Sequence, residues 1–214
     1  MYFSQIQRIT AGSINKVNDA VAGMPGAPLG IGTSKFAGQL GNGIYLDDTN
    51  ILFDSSMGTV YGGHFRYVRL AAAATVPLKV GQILFWDTVA NAADNLFQVT
   101  TAESGTTDGA MNIAGIALNT AWGAGNYSFL QDMGSVFVRF RGTLTAAGAI
   151  GSRVFAAAAG AGADLGEADV IDSSNPTLFS DVSKMMGRYL GIAIDAPTNN
   201  GLKRVNVAVH NFRG

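Results

Sequence analysis

The chain carries one strand-like pattern twice, which restricts its fold more than any other feature. Three short blocks recur in the same order: YVRL (67–70) as FVRF (137–140), GQILF (81–85) as GSRVF (151–155), and GIALN (115–119) as GIAID (191–195). The offset is 70 residues for the first two blocks and 76 for the third, so the second copy is longer there. We therefore predict two similar repeats, at about 67–136 and 137–210.

The region 46–214 is predicted to be a β-body. Residues 203–210 alternate, with valines on one side and mostly polar residues on the other, as in a strand that buries one face. Turn signals every 8–12 residues are typical of sandwiches and barrels. We predict a mainly β fold, an antiparallel sandwich or partly closed barrel built from the two repeats as one compact body. Gly115 and Gly191 should be equivalent, each ahead of a buried isoleucine, Ile116 or Ile192.

Residues 1–45 differ from the rest and predict an extended N-terminal arm with a short helix. Ser13 can cap a helix over 14–22. Residues 23–32 hold two prolines and four glycines, which excludes regular structure. The candidate capsid or subunit interface is the set of apolar arm residues: Phe3, Ile6, Ile9, Met24, Leu29, Ile31 and Phe36. Two interpretations stay open, because the arm either packs on a partner or wraps over its own core.

The composition excludes some classes of function. The chain has 214 residues, of which 48% are hydrophobic and 14% charged, and its formal net charge is −1. We expect no nucleic-acid binding, because the sequence has no basic stripe. We expect no membrane span, because no apolar run reaches the roughly 18 residues that a helix needs. Low charge with many small residues indicates a surface partly covered by other protein, although an ordinary Gly/Ala-rich β-domain has the same composition.

The sequence contains no catalytic signature. It has no cysteine, which excludes disulfides and thiolate chemistry. It also lacks a Gly-x-Ser-x-Gly elbow, and GIGTSK (30–35) lacks the glycine that a P-loop has before lysine. His64 and His210 fall on predicted strands without a metal-ligand partner, which favours surface histidines. We predict that the protein is not an enzyme and holds no cofactor.

Two groups of acidic residues were considered as ion sites: Asp47, Asp48 and Asp54, and then Asp164, Glu167, Asp169 and Asp172. Loop carboxylates can bind Ca²⁺, but the spacing of an EF-hand is missing. The favoured interpretation is solvated loop acids, or acids paired with an arginine of a neighbouring chain. No metal site is therefore predicted.

Five motifs of the body follow one another in an order that resembles a known family: GxxLFWD (81–87), FxV (97–99), GIALN (115–119), AGNY (124–127) and VRF (138–140). The series resembles the head-decoration, or cement, proteins of tailed bacteriophages over about residues 76–209. This resemblance implies a structural virion protein on the outer capsid that reinforces joints between major capsid subunits. It implies no catalytic residue.

We accordingly expect a capsid cement protein that forms a dimer or trimer and contacts the major capsid protein. One alternative is another virion component, such as a head fibre, a tail protein or the shell subunit. A second alternative is a carbohydrate-binding or adhesin-like β-module. That module would need aromatic side chains exposed on one face, and the candidates are Trp86, Trp122, Tyr127 and Phe129.

Overall fold

The computed structural model describes residues 43–46, 51–52, 59–60, 63–87, 97–101, 113–118, 120, 122–157, 166–170 and 188–209. Within these residues the chain forms β1 (Gly43–Leu46), β2 (Ile51–Leu52), β3 (Thr59–Val60), β4 (Gly63–Leu70), β5 (Ile83–Trp86), β6 (Gln98–Thr100), β7 (Ile113–Ala117), β8 (Tyr127–Arg139), β9 (Arg153–Ala156), β10 (Ala168–Val170), β11 (Tyr189–Ala193) and β12 (Leu202–Ala208). The prediction of a mainly β fold is confirmed. The helix predicted over 14–22 lies outside the described residues.

Ten of these strands form one mixed sheet, in the order β1-β4-β6-β5-β7-β8-β12-β11-β9-β10, and β2 pairs with β3. The prediction of a purely antiparallel sheet is wrong, because β4 and β6 run parallel. The reason is the chain path. β6 lies between β4 and β5, and it is antiparallel to β5, so it returns in the direction of β4.

Five strands close into a ring, because β4 also pairs with β8. This first ring consists of β4, β6, β5, β7 and the first part of β8. Each of its strands contributes side chains to one buried cluster: Val68, Leu70, Leu84, Trp86, Val99, Ala114, Ala117 and Leu130. Such a cluster fills the inside of a small closed sheet and removes its apolar side chains from water.

The remaining strands repeat this arrangement. The second ring consists of the last part of β8 with β12, β11, β9 and β10, and a parallel bridge between Phe140 and Ala168 leads from β10 back to the end of β8. Its strands share another buried cluster, which includes Val138, Val154, Val170, Leu190, Val205 and Val207. β8 therefore belongs to both rings. The repeat boundary predicted between 136 and 137 lies inside this strand.

Hydrogen bonds recur at corresponding places in the two rings. Ala117 donates its backbone N–H to the carbonyl of Gln82 at 2.8 Å, and Ala193 donates to that of Ser152 at 2.9 Å. The side chains of Gln82 and Ser152 each accept a bond from the backbone N–H three residues earlier, at 2.8 and 2.9 Å. The offsets are those of the sequence blocks, 70 residues for the acceptors and 76 for the donors.

Gly115 and Gly191 also occupy matching places, each beside a register shift in its strand pair. A Cβ on Gly115 would lie 2.6 Å from the carbonyl oxygen of Gln131. A Cβ on Gly191 would overlap the carbonyl oxygen of Asn206. Both positions therefore need glycine because a neighbouring backbone approaches too closely for a side chain.

Candidate functional site

Several residues singled out from the sequence lie outside the described residues. These are the seven apolar arm residues Phe3, Ile6, Ile9, Met24, Leu29, Ile31 and Phe36, together with His210, Asp47, Asp48, Asp54, Asp164 and Asp172. The candidate interface of the arm therefore stays a prediction. The remaining candidates can be placed.

His64 is not a surface residue, contrary to the sequence-based interpretation. Its side chain is 12% exposed and its Nδ1 contacts the carboxylate of Asp132, which is 4% exposed. Arg66 donates from Nε to the other oxygen of Asp132 at 3.1 Å. The carboxylate thus ties β4 to β8 through two side chains. Sequence analysis missed Asp132, because an acid inside an otherwise apolar strand gives no motif.

Glu167 and Asp169 are buried, so the interpretation as solvated loop acids is wrong for them. Asp169 lies in β10 and accepts hydrogen bonds from Arg141 Nη1 at 3.0 Å, from Thr145 N at 2.9 Å and Oγ1 at 2.5 Å, and from Val170 N at 2.8 Å. Glu167 pairs with Lys79 Nζ at 3.1 Å. Within the described residues, no group of three His, Cys, Asp or Glu side chains is placed to hold a metal ion.

Arginines of the two rings bind inside the chain. Arg69 donates from Nε to the carbonyl of Gly125 at 3.2 Å and lies 5.9 Å from the ring centre of Tyr127. Arg139, 70 residues later, donates from Nε to the carbonyl of Val80 at 3.3 Å. Both side chains hold a neighbouring segment against the end of a ring, which is a structural role.

The aromatic residues required by a carbohydrate-binding module are not exposed. Trp86, Trp122, Tyr127 and Phe129 are all at most 5% exposed. The indole of Trp122 donates to the carbonyl of Asn126 at 3.0 Å. These side chains build the core, so they offer no flat face to a sugar.

Tyr67 shows how closed this aromatic region is. Its ring stacks on Tyr127 at 6.0 Å between centroids and lies 5.1 Å from that of Phe129. Burial raises the pKa of the Tyr67 hydroxyl far above its ordinary value, and the nearby Tyr127 hydroxyl raises it further. A hydroxyl that stays neutral in this way does not act as a base near neutral pH.

An open groove lies beside the second ring, between residues 144–148 and 197–199. The first ring has Trp122 in the place corresponding to Pro197, and that indole packs in the buried cluster that includes Ala74 and Leu78. Small residues line the groove, and none of its lining side chains titrates. It therefore offers no acid–base chemistry.

The two rings differ most on their outer faces. In the first ring, direct cross-strand partners form a row that is 0% exposed: Ile83, Ile116, Gln131 and Phe65. The corresponding partners in the second ring form what we call the outer row: Arg153, Ile192, Asn206 and Ser135. The prediction that Ile192 is buried is wrong, because this side chain is 46% exposed. Its neighbours in the row are polar, so the row faces solvent.

Two ionic and apolar features flank the outer row. Ile150, in the turn before β9, is 74% exposed. Arg204 binds Asp195 with two hydrogen bonds, from Nε at 3.0 Å and from Nη2 at 2.8 Å. These bonds hold the pKa of the Asp195 carboxyl below its ordinary value.

Comparison of the chain with protein-family models, with curated proteins and with solved structures found no match. Among the described residues, no helix has the length and apolar character needed to cross a membrane. The function must therefore be argued from the geometry itself.

Proposed function

We propose that this protein is a structural component of a tailed-bacteriophage virion, which decorates the outer capsid and joins neighbouring major capsid subunits. The observation that supports the proposal best is that both rings share β8. This strand has 13 residues, which corresponds to about 40 Å. Because it is hydrogen-bonded in both rings, it holds their outer surfaces at a fixed separation.

A fixed separation suits a protein that bridges a joint. When one ring binds one capsid subunit, the other ring is held near the adjacent subunit at a high effective concentration. Contacts that are weak one at a time then become durable together. An interface of about 1,600 Å² is sufficient for stable attachment, and association into a dimer or trimer adds further sites.

The described side chains also favour a structural role over catalysis. The carboxylates of Asp132 and Asp169 accept hydrogen bonds from arginines of the same chain, and Glu167 pairs with a lysine. The aromatic residues are used in the core. The motifs over about residues 76–209 resemble those of capsid cement proteins, as noted above. Together these observations support attachment rather than turnover of a substrate.

We further infer that the β-body is a duplicated unit. In this interpretation each repeat is a partly closed five-stranded barrel, and one long strand serves both. The matching hydrogen bonds of Ala117 and Ala193 support it, as do the matching glycines Gly115 and Gly191. The arm, through Phe3, Ile6, Ile9, Met24, Leu29, Ile31 and Phe36, is proposed to contact the capsid or a neighbouring copy.

Co-sedimentation tests the proposed function. Purified protein is mixed with expanded, undecorated heads of the phage, and heads that already carry their decoration serve as the control. Saturable binding to the undecorated heads alone is expected. Binding should fall little between low salt and about 0.5 M salt, since only exposed charge pairs are strongly screened. Failure to bind at any salt concentration would contradict the proposal.

A further inference from the structure

We propose that the outer row, with Ile150 at its border, docks on a different protein that presents an aliphatic patch beside a carboxylate. The inference rests on the proposed function and names the face of this protein that meets the shell. It starts from the contrast between the two rings, whose corresponding rows are fully buried in one ring and open in the other.

The aliphatic part of the argument concerns Ile192 and Ile150. Among the large apolar side chains of the described residues, they are the two most exposed, at 46% and 74%. Backbone hydrogen bonds between Gly151 and Ala193 and between Ala193 and Ser152 hold the Ile150 turn to the strand of Ile192. Removing both side chains from water would favour association with an apolar partner surface.

The charge of the face specifies the partner further. Arg153 is exposed and lies directly opposite Ile192 across the strand pair. It makes no hydrogen bond or ion pair within the described part of the chain, whereas Arg204 is bound to Asp195. Arginine surrounded by apolar residues is a composition enriched in the cores of interfaces. A carboxylate on the partner would complement it.

A second copy of the chain fits this face less well. In a symmetric pair the same patch meets itself. The carboxylate described beside the row, Asp195, is already bound to Arg204, and a second copy would bring a second Arg153. Because like charges brought together disfavour a wrong partner, we commit to a different protein as the occupant.

The test uses the full-length protein and expanded, undecorated heads, with wild-type binding measured first. Ile192→Asp and Arg153→Glu are each expected to weaken head binding at least about tenfold, a loss typical of an interface hot spot. Thr143→Glu, at an exposed position outside the row, is the control and should change binding less than about twofold. Thermal unfolding must show that all three variants stay folded.

The outcomes separate this inference from the proposed function. If the wild-type protein does not bind heads, the proposed function itself fails. If the wild-type protein binds and the two row variants bind equally well, the outer row is not the docking face. If Arg153→Glu leaves head binding intact but dissociates the free protein into monomers in sedimentation velocity, the occupant is a second copy and the inference is overturned.

Discussion

An arginine and an aspartate pair in two settings in this protein, and their side chains are buried to different extents. Asp132 is 4% exposed beside Arg66, while Asp195 is 32% exposed beside Arg204. Removing one partner of a buried pair leaves a charge without compensation. We expect Asp132→Ala to lower the free energy of unfolding by about 3 kcal/mol and Asp195→Ala by less than about 1 kcal/mol. Denaturant unfolding of both variants checks this, and equal losses would contradict it.

The Asp195 pair also predicts a pH dependence. Hydrogen bonds from Arg204 lower the pKa of Asp195 in the folded protein below the ordinary value of 3.8. A lowered pKa means that the pair stabilises the fold fully above pH 3.8, and that this contribution is lost as the pH falls further. Urea unfolding of wild type and Asp195→Asn, from pH 5 downward, should show curves that converge in acid. A difference that grows in acid would reverse the sign and refute the assignment.

At the scale of single elements, the two glycines beside the register shifts make a matched test. Gly115→Ala and Gly191→Ala each force a Cβ against a carbonyl oxygen of the adjacent strand. Overpacking of this kind costs about 1–3 kcal/mol. Gly142→Ala is the control, because the nearest atom to its Cβ would be 3.5 Å away. If all three variants unfold at the same denaturant concentration, the close approach of the backbones is not real.

The elements also show what could be read from the sequence. The positions of Gly115 and Gly191 could be predicted, because close backbone contact leaves a glycine at the same place in each repeat. The continuity of β8 could not, because Gly134, with a φ of 105°, looks like an interruption although it lies within the strand. The exposure of Ile192 could not either. It depends on what covers an outer face, and the local patterns GIALN and GIAID are nearly the same.

The candidate surface was harder to predict than the fold. Arg153 and Ile192 are far apart in sequence and meet only through the pairing of β9 with β11. Asp132 and His64 likewise come together only through the pairing of β4 with β8. Sequence patterns predict a strand and its faces, but the partner strand decides which side chains become neighbours. The arm residues were the better sequence signal, and they stay a prediction.

For the whole molecule, the shared strand predicts that both rings unfold together. Leu130 and Val138 are fully buried in β8, in the first and second ring respectively. We expect Leu130→Ala to cost about 2–5 kcal/mol, and Val138→Ala somewhat less, through the cavity that each substitution leaves. Both should shift one calorimetric transition whose measured and van't Hoff enthalpies agree. Two separate transitions, each sensitive to one variant, would show that the rings are independent domains.

The central claim is that the molecule bridges capsid subunits with its outer surfaces. A cryo-EM reconstruction of expanded heads incubated with the purified protein tests it most directly. The account predicts two-lobed density over a joint between neighbouring major capsid subunits, with the outer row of the second ring facing the shell. Heads without added density, or density that contacts a single subunit, would contradict it.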